Sequence, residues 1–121
     1  MDAGTEDWYN KINRCAIPYE KLITVIKDFV SCTAVTIQTM LCAINGEQPS
    51  ETEKQAWVSL VCELAQRNGN IRKVQLYGKA RSSPEDPLAS PLPKDYLEER
   101  AESLRNLFID KGVSIPVEVY L

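Results

Sequence analysis

The sequence predicts an α/β fold in which three mainly parallel strands alternate with helices. β-branched and apolar residues concentrate in three stretches, at 33–44, 71–77 and 115–121, which suit strands of a packed sheet. Helical patterns of about 15 to 20 residues separate these stretches, and connections of that kind join parallel strands through right-handed crossovers. The stretch at 71–77 is central to the prediction, because a long polar loop follows it, as at the ligand-binding ends of βα units.

Two helices are predicted before the first strand. Residues 2–13 give a turn and a short helix, with Thr5 as the N-cap and two acidic residues in the first turn. Residues 19–31 give a longer helix, because apolar residues recur there at helical spacing. These apolar residues are Leu22, Val25, Ile26, Phe29 and Val30. We expect this second helix to serve packing alone.

The stretch at 33–44 is predicted to be one continuous strand. The apolar run from Met40 to Ile44 indicates burial on both faces, as in parallel sheets. Gln38 interrupts the apolar pattern, and a buried amide needs hydrogen-bond partners. Two interpretations of Gln38 stay open, a satisfied amide in the core and a contact to a ligand.

The third helix begins at a capping box made by Ser50 and Glu53, and it runs to about Arg67. Its apolar stripe consists of Trp57, Leu60, Val61 and Leu64. The strand at 71–77 follows this helix after a turn that contains glycine.

The last third of the chain starts with a loop at 81–91 that holds three prolines and three serines, which favour extended, non-helical chain. A helix at 93–111 follows, and Gly112 is placed to end it. Apolar residues then alternate with others over 115–121, which predicts a final strand.

Composition excludes several kinds of site. The net charge of −3 favours neither nucleic acid nor a membrane surface as a partner. Histidine is absent, which excludes Ser-His triads and histidine metal sites. The four cysteines, Cys15, Cys32, Cys42 and Cys62, lack the spacing of a local zinc or iron–sulfur set and are predicted to be reduced, mostly buried thiols. No apolar run approaches the roughly 20 residues of a membrane span, so we expect a cytoplasmic protein.

Three polar residues occupy positions typical of ligand sites. Glu47 and Arg81 each follow the predicted end of a strand, and Asp2 lies where a strand would end if more chain preceded Met1. The carboxyl ends of parallel strands form the ligand-binding edge of such sheets. Arg81 also belongs to a run of five basic residues in 15 positions that contains no acid. This run is interpreted either as a solvated surface or as an anion or RNA site.

Several segments together resemble the middle of radical SAM proteins, in the branch of uncharacterised iron–sulfur oxidoreductases related to wyosine-synthetase-type enzymes. The similar segments are Asp-Ala-Gly-Thr-Glu at 2–6, Ile-Asn-Arg at 12–14, Thr-Ile-Gln-Thr-Met at 36–40, Asn-Gly-Glu at 45–47, Val-Gln-Leu-Tyr at 74–77 and Ala-Arg at 80–81. The resemblance covers nearly the whole chain, and it rests on the order and spacing of these segments. The resemblance implies a single domain, residues 1–121, that forms the C-terminal half of a partial (β/α) barrel.

The resemblance also has implications for the cofactors. In this family the first half of the barrel carries a C-x-x-x-C-x-x-C loop that binds a [4Fe–4S] cluster, and the cluster binds S-adenosylmethionine. That motif is missing here, so the resemblance implies that this chain alone binds no cofactor and catalyses nothing. In the completed barrel it implies that Asp2, Gln38 and Tyr77 help to hold S-adenosylmethionine or substrate, and that Glu47 and Arg81 contact substrate.

Three functions therefore compete at this point. The chain is a radical SAM C-terminal half whose partner is the missing N-terminal half, an independent α/β module that pairs its open sheet edges with a partner or with itself, or a small RNA- or anion-binding domain. Three strands cannot close a barrel, and unpaired sheet edges attract further strands. For this reason we expect the sheet to be completed by another polypeptide.

Overall fold

A three-stranded parallel sheet with helices packed on one side is the centre of the computed structural model, which describes residues 1, 3–12, 17–44, 46–68, 70–78 and 89–120. The elements in chain order are α1 (Glu6–Ile12), α2 (Tyr19–Cys32), β1 (Val35–Leu41), β2 (Ala43–Ile44), α3 (Glu51–Asn68), β3 (Ile71–Gly78), β4 (Ala89–Ser90), α4 (Lys94–Asp110) and β5 (Val117–Tyr120). The predicted α/β class is confirmed, and so is the parallel pairing of the three main strands.

The strands lie in the order β1-β3-β5, so β3 is the central strand. Each main strand is the spatial neighbour of the one before it in sequence. Right-handed crossovers that always step in the same direction place every connecting helix on the same face of the sheet. Helices on one face only are the arrangement of a barrel segment, whereas a doubly wound sheet carries helices on both faces.

The main core lies between the sheet and these helices. From the strands it takes alternate residues such as Ile37, Val74, Leu76 and Val117. From α3 it takes the predicted apolar stripe, and from α4 it takes Leu97, Ala101, Leu104 and Phe108. Trp57, Val61, Leu97, Ala101 and Leu104 are fully buried there. A register shift near Arg72 explains why the buried positions of β3 change from odd at Ile71 to even at Val74.

The strand predicted at 33–44 is wrong in two details. It is divided into β1 and the short β2, which pairs antiparallel with β4 inside the predicted loop at 81–91. Met40 is 49% exposed, so burial on both faces is also wrong. The physical reason is that helices cover one face of β1 only, which gives its side chains a simple alternation of buried and exposed positions.

The capping box is half correct. Ser50 accepts the Glu53 amide at 3.1 Å as predicted. The Glu53 carboxylate, however, is buried and binds the chain before α1, where it accepts the Gly4 amide at 2.6 Å and the Thr5 hydroxyl at 2.7 Å. Thr5 also caps α1 as predicted, because its hydroxyl accepts the Trp8 amide at 3.3 Å. One buried carboxylate thus joins the start of α3 to the start of α1.

Residues 1 and 3–5 form an N-terminal segment that lies against β1 and α3. The amino group of Met1 donates to the Gln38 carbonyl at 2.7 Å, and the Met1 carbonyl accepts the Thr39 hydroxyl at 2.5 Å and the Trp57 indole N–H at 3.3 Å. Gly4 lies so close to the Trp57 backbone that a side chain there would collide with it. The segment is therefore seated on the outer edge of β1.

A second, smaller apolar cluster holds α1. Ala3, Trp8 and Tyr9 are its buried members, and Tyr19 and Leu22 of α2 pack against them. The Tyr19 hydroxyl donates to the Ala3 carbonyl at 3.4 Å. Burial, and next the nearby Glu53 carboxylate, raise the pKa of Tyr19 to about 12.

Gly4→Ala should destabilise the fold because its Cβ would lie 2.5 Å from the Trp57 Cα and 2.8 Å from the Trp57 Cβ. Overpacking of this kind typically costs about 1–3 kcal/mol, measurable as a lower free energy of unfolding in urea. Gly112→Ala is the control, since nothing lies within 4 Å of that position and only its φ of +69° opposes a side chain. An effect of Gly4→Ala no larger than that of the control would contradict the close packing.

Candidate functional site

The candidate site is the face of the sheet turned away from the helices, here called the open face. Its side chains are Thr36, Gln38 and Met40 of β1, Lys73, Gln75 and Tyr77 of β3, and Glu118 and Tyr120 of β5. Strand register places these residues in cross-strand rows, because Gln38, Gln75 and Glu118 are paired positions, as are Met40, Tyr77 and Tyr120. The first of these sets is called the polar row.

Hydrogen bonds connect the polar row across all three strands. The Gln38 amide nitrogen donates to the Gln75 side-chain oxygen at 3.1 Å, and the Gln75 amide nitrogen donates to the Glu118 carboxylate at 3.2 Å. This chain fixes both amide orientations, since each donor faces an acceptor. Gln75 is only 8% exposed, and its three partners satisfy it.

Two tyrosines lie beside the polar row, toward the carboxyl ends of the strands. The Tyr77 and Tyr120 rings stack with centroids 5.1 Å apart and planes 18° apart. The Tyr77 hydroxyl donates to the Gln75 oxygen at 3.2 Å, and the Tyr120 hydroxyl donates to Glu118 at 3.0 Å. The result is an aromatic surface joined to a line of amide and carboxylate groups.

Electrostatics on the open face centre on Glu118. The hydrogen bond from Gln75, and next that from Tyr120, lower the pKa of the Glu118 carboxyl. The same contact raises the pKa of Tyr120, because its proton is held by the carboxylate. Lys73 lies 3.5 Å from Glu118 with both side chains 40% exposed, so this ion pair adds little.

The predicted site residues divide into three groups. Gln38 and Tyr77 lie on the open face and are connected through Gln75. The Gln38 side chain is exposed, so its interpretation as a satisfied core amide is wrong, whereas its interpretation as a ligand contact stays a prediction. Glu47 is exposed on the turn after β2 and forms an ion pair with Lys11 of α1 at 2.9 Å, away from the polar row. Asp2 and Arg81 lie outside the described residues.

Three residues of the open face were missed by sequence reasoning, namely Gln75, Glu118 and Tyr120. A signal for them exists, because β3 ends in Gln-Leu-Tyr at 75–77 and β5 ends in Glu-Val-Tyr at 118–120. Each pattern consists of a polar residue, an aliphatic residue that packs against the core and a tyrosine. The pairing register is needed to see that the two patterns lie side by side.

The cysteines and basic residues add no second site among the residues described. Within the described ranges, no three His, Cys, Asp or Glu side chains come together in a way that could hold a metal ion. Of the three cysteines described, Cys62 is buried, which raises the pKa of its thiol, whereas Cys42 is half-buried and Cys32 is exposed, so Cys32 departs from the predicted mostly buried thiols. Of the basic run, Arg72 is exposed at the start of β3, and Lys73 pairs with Glu118.

No protein-family model, no curated protein and no solved structure matches this chain. Among the described helices, none combines the length and apolar character needed to cross a membrane.

Gln75→Leu should raise the pKa of Glu118 toward its ordinary value of 4.5, because it removes the hydrogen bond that lowers that pKa most. A carboxylate whose pKa is lowered in the folded state stabilises the fold above its unfolded pKa and loses this contribution as pH falls through the folded pKa. The variant should therefore lose less stability than the wild-type protein as the pH falls through the pKa of Glu118. NMR titration of the side-chain carboxyl carbons measures the shift.

The matched control for this titration is Gln55→Leu. Gln55 donates to Glu51 on the exposed side of α3 and is the main cause of the lowered Glu51 pKa. This variant should raise the pKa of Glu51 and leave that of Glu118 in place. An unmoved Glu118 resonance in Gln75→Leu would show that the polar row does not form in solution.

Proposed function

We propose that this chain is the C-terminal half of a radical SAM enzyme and that its open face is one wall of the S-adenosylmethionine site. The observation that carries the proposal is the polar row, which lies on the side of a parallel sheet that the described helices leave uncovered. In a (β/α) barrel that side is the interior, where side chains near the carboxyl ends of the strands hold the ligand. The resemblance of the sequence segments supplies the enzyme class.

The side chains of the open face fit the chemistry of S-adenosylmethionine. The Glu118 carboxylate is an acceptor for an ammonium group or for ribose hydroxyls, and the Gln38 amide offers both a donor and an acceptor. Tyr77 and Tyr120 present an aromatic surface suited to stacking on adenine. When it is bound to a reduced cluster, S-adenosylmethionine supplies a 5′-deoxyadenosyl radical.

The iron–sulfur cluster itself does not fit this half. Among the cysteines that the structure describes, Cys32, Cys42 and Cys62 do not form a ligand set. The cluster ligands belong to the N-terminal half, which in this proposal is the partner of the chain. Alone, the chain has no catalytic activity, and the complete enzyme is located in the cytoplasm.

A one-sided polar face also favours this function over an independent interaction module. A stand-alone α/β domain gains stability by covering both faces of its sheet. Here Met40 and Tyr120 remain 49% and 39% exposed beside a polar row that is already internally hydrogen-bonded. An exposed face with fixed amide orientations is better suited to a ligand than to a packed protein partner.

The test is to reconstitute a complete barrel by co-expressing this chain with a cluster-bearing N-terminal radical SAM half. S-adenosylmethionine affinity is then measured by isothermal titration under anaerobic conditions. Gln38→Ala and Asp2→Ala should each weaken binding about tenfold, as expected for one lost hydrogen bond of about 1.4 kcal/mol. Substitution of Glu47 or Arg81 by alanine should lower substrate turnover and leave the S-adenosylmethionine affinity unchanged.

Gln55→Ala provides the matched control, since it deletes the same amide from an exposed helix position of α3. It should leave affinity unchanged. Wild-type affinity in Gln38→Ala would remove the polar row from the binding site, and wild-type affinity in Asp2→Ala would remove Asp2 from it. A well-formed complex that binds the cluster but no S-adenosylmethionine would overturn the proposed function as a whole.

A further inference from the structure

An apolar groove runs along the outer edge of β1, on the side away from β3. It encloses about 180 Å³ between β1 and α2. Its lining consists of Met1, Ile26, Phe29, Val30 and residues 35–38. This surface is called the edge groove, and none of the described side chains that line it is charged.

The helix that borders the edge groove is incompletely covered. The second helix was predicted to serve packing alone, and within this chain Phe29 is 56% exposed and Val25 is 42% exposed. Only Val30 of this helix is fully buried. Large exposed apolar side chains beside a groove identify a surface that a partner covers.

Backbone groups of β1 are directed into the same groove. In a parallel sheet the backbone groups of successive residues point alternately to the two neighbouring strands. The Val35 amide donates to Asn70 on the β3 side, whereas the Gln38 carbonyl accepts from Met1 on the outer side. Thr36 shares the outward direction of Gln38, so its N–H and C=O face the groove that it lines.

Met1 fixes the direction of any strand that continues this pairing. From Met1 the chain proceeds to Gly4, which binds Glu53 at the start of α3, beyond the carboxyl end of β1. The N-terminal segment therefore runs in the same direction as β1. A strand in the edge groove that ends beside Met1 is parallel to β1 and pairs with residues 35–38.

We propose that the edge groove binds an extended segment of a partner polypeptide as a fourth parallel strand. Alternate side chains of this segment are aliphatic and enter the groove beside Val35 and Ile37, and the others are polar and join the open face beside Thr36 and Gln38. The interface continues the Met1–Gln38 contact that the structure already contains.

Other occupants fit the groove less well. A volume of about 180 Å³ accepts aliphatic side chains but is too small for a helix about 10 Å across. A second copy related by a two-fold axis would present its own β1 edge in the antiparallel direction. The inference concerns strand pairing alone, and it holds whether or not the completed sheet binds S-adenosylmethionine.

The experiment titrates the ¹⁵N-labelled full chain with an acetylated and amidated Thr-Val-Thr-Val-Thr peptide and follows amide shifts by NMR. We expect saturable shifts at Thr36 and Gln38 and slower hydrogen exchange of the Thr36 amide. A Thr-Pro-Thr-Pro-Thr peptide, which lacks alternate backbone donors, should give at most a tenth of the affinity. Equal shifts with both peptides, or none with either, overturn the proposal.

Two pairs of variants separate pairing from misfolding. Thr36→Pro removes the outward N–H and should weaken peptide binding at least tenfold, whereas Thr36→Ala keeps that N–H and should bind as the wild type does. Phe29→Asp should also weaken binding at least tenfold, while Ile109→Asp places the same charge on an exposed apolar position of α4 outside the groove. A wild-type dimer in light scattering that Phe29→Asp dissociates would assign the groove to a second copy and overturn the proposal.

Discussion

The packing of every connecting helix on one face of the sheet is the constraint on which the rest of this structure depends. Trp57, Leu64, Leu97 and Leu104 bury their side chains between that face and the helices, and this apolar burial is the main source of stability. The opposite face receives no such cover from the described helices. Its central residue, Gln75, is nearly inaccessible even so, because its neighbours on both sides enclose it.

Gln38 is the point at which the parts of the molecule meet. Its backbone carbonyl holds Met1, and its side chain begins the polar row. The N-terminal segment, the edge groove and the open face therefore share one residue of β1. A strand that entered the groove would act on the same residue that orients the Gln75 amide, so completion of the sheet and the geometry of the polar row are coupled.

Much of this fold could be predicted from sequence, because apolar periodicity is a local signal. It located the central strand and the helices α2, α3 and α4 to within one or two residues. The break between β1 and β2 and the exposure of Met40 could not be predicted, since they depend on which face the helices cover. Nor could β4, because a two-residue strand exists only through its pairing with β2.

The candidate site was predictable only in part for the same reason. Gln38 and Tyr77 were found as polar or aromatic exceptions at strand positions. Glu118 and Tyr120 belong to a strand that was recognised, but their role depends on cross-strand register. The Glu53 carboxylate was assigned to a local cap, whereas tertiary contact with Gly4 and Thr5 determines its position.

The two separate apolar clusters give the molecule two units of unequal size that respond differently to alkali. Tyr19 belongs to the smaller unit, and its pKa of about 12 in the folded state exceeds the ordinary value of 10.0. Its neutral form therefore stabilises that unit below pH 10.0, and this contribution disappears as pH rises toward 12. We therefore expect alkaline solutions to loosen α1 and the N-terminal segment, which the Tyr19–Ala3 hydrogen bond connects to α2, more readily than the main core. Release of Met1 would then uncover the Gln38 carbonyl at the outer edge of β1, where a strand of another molecule can pair.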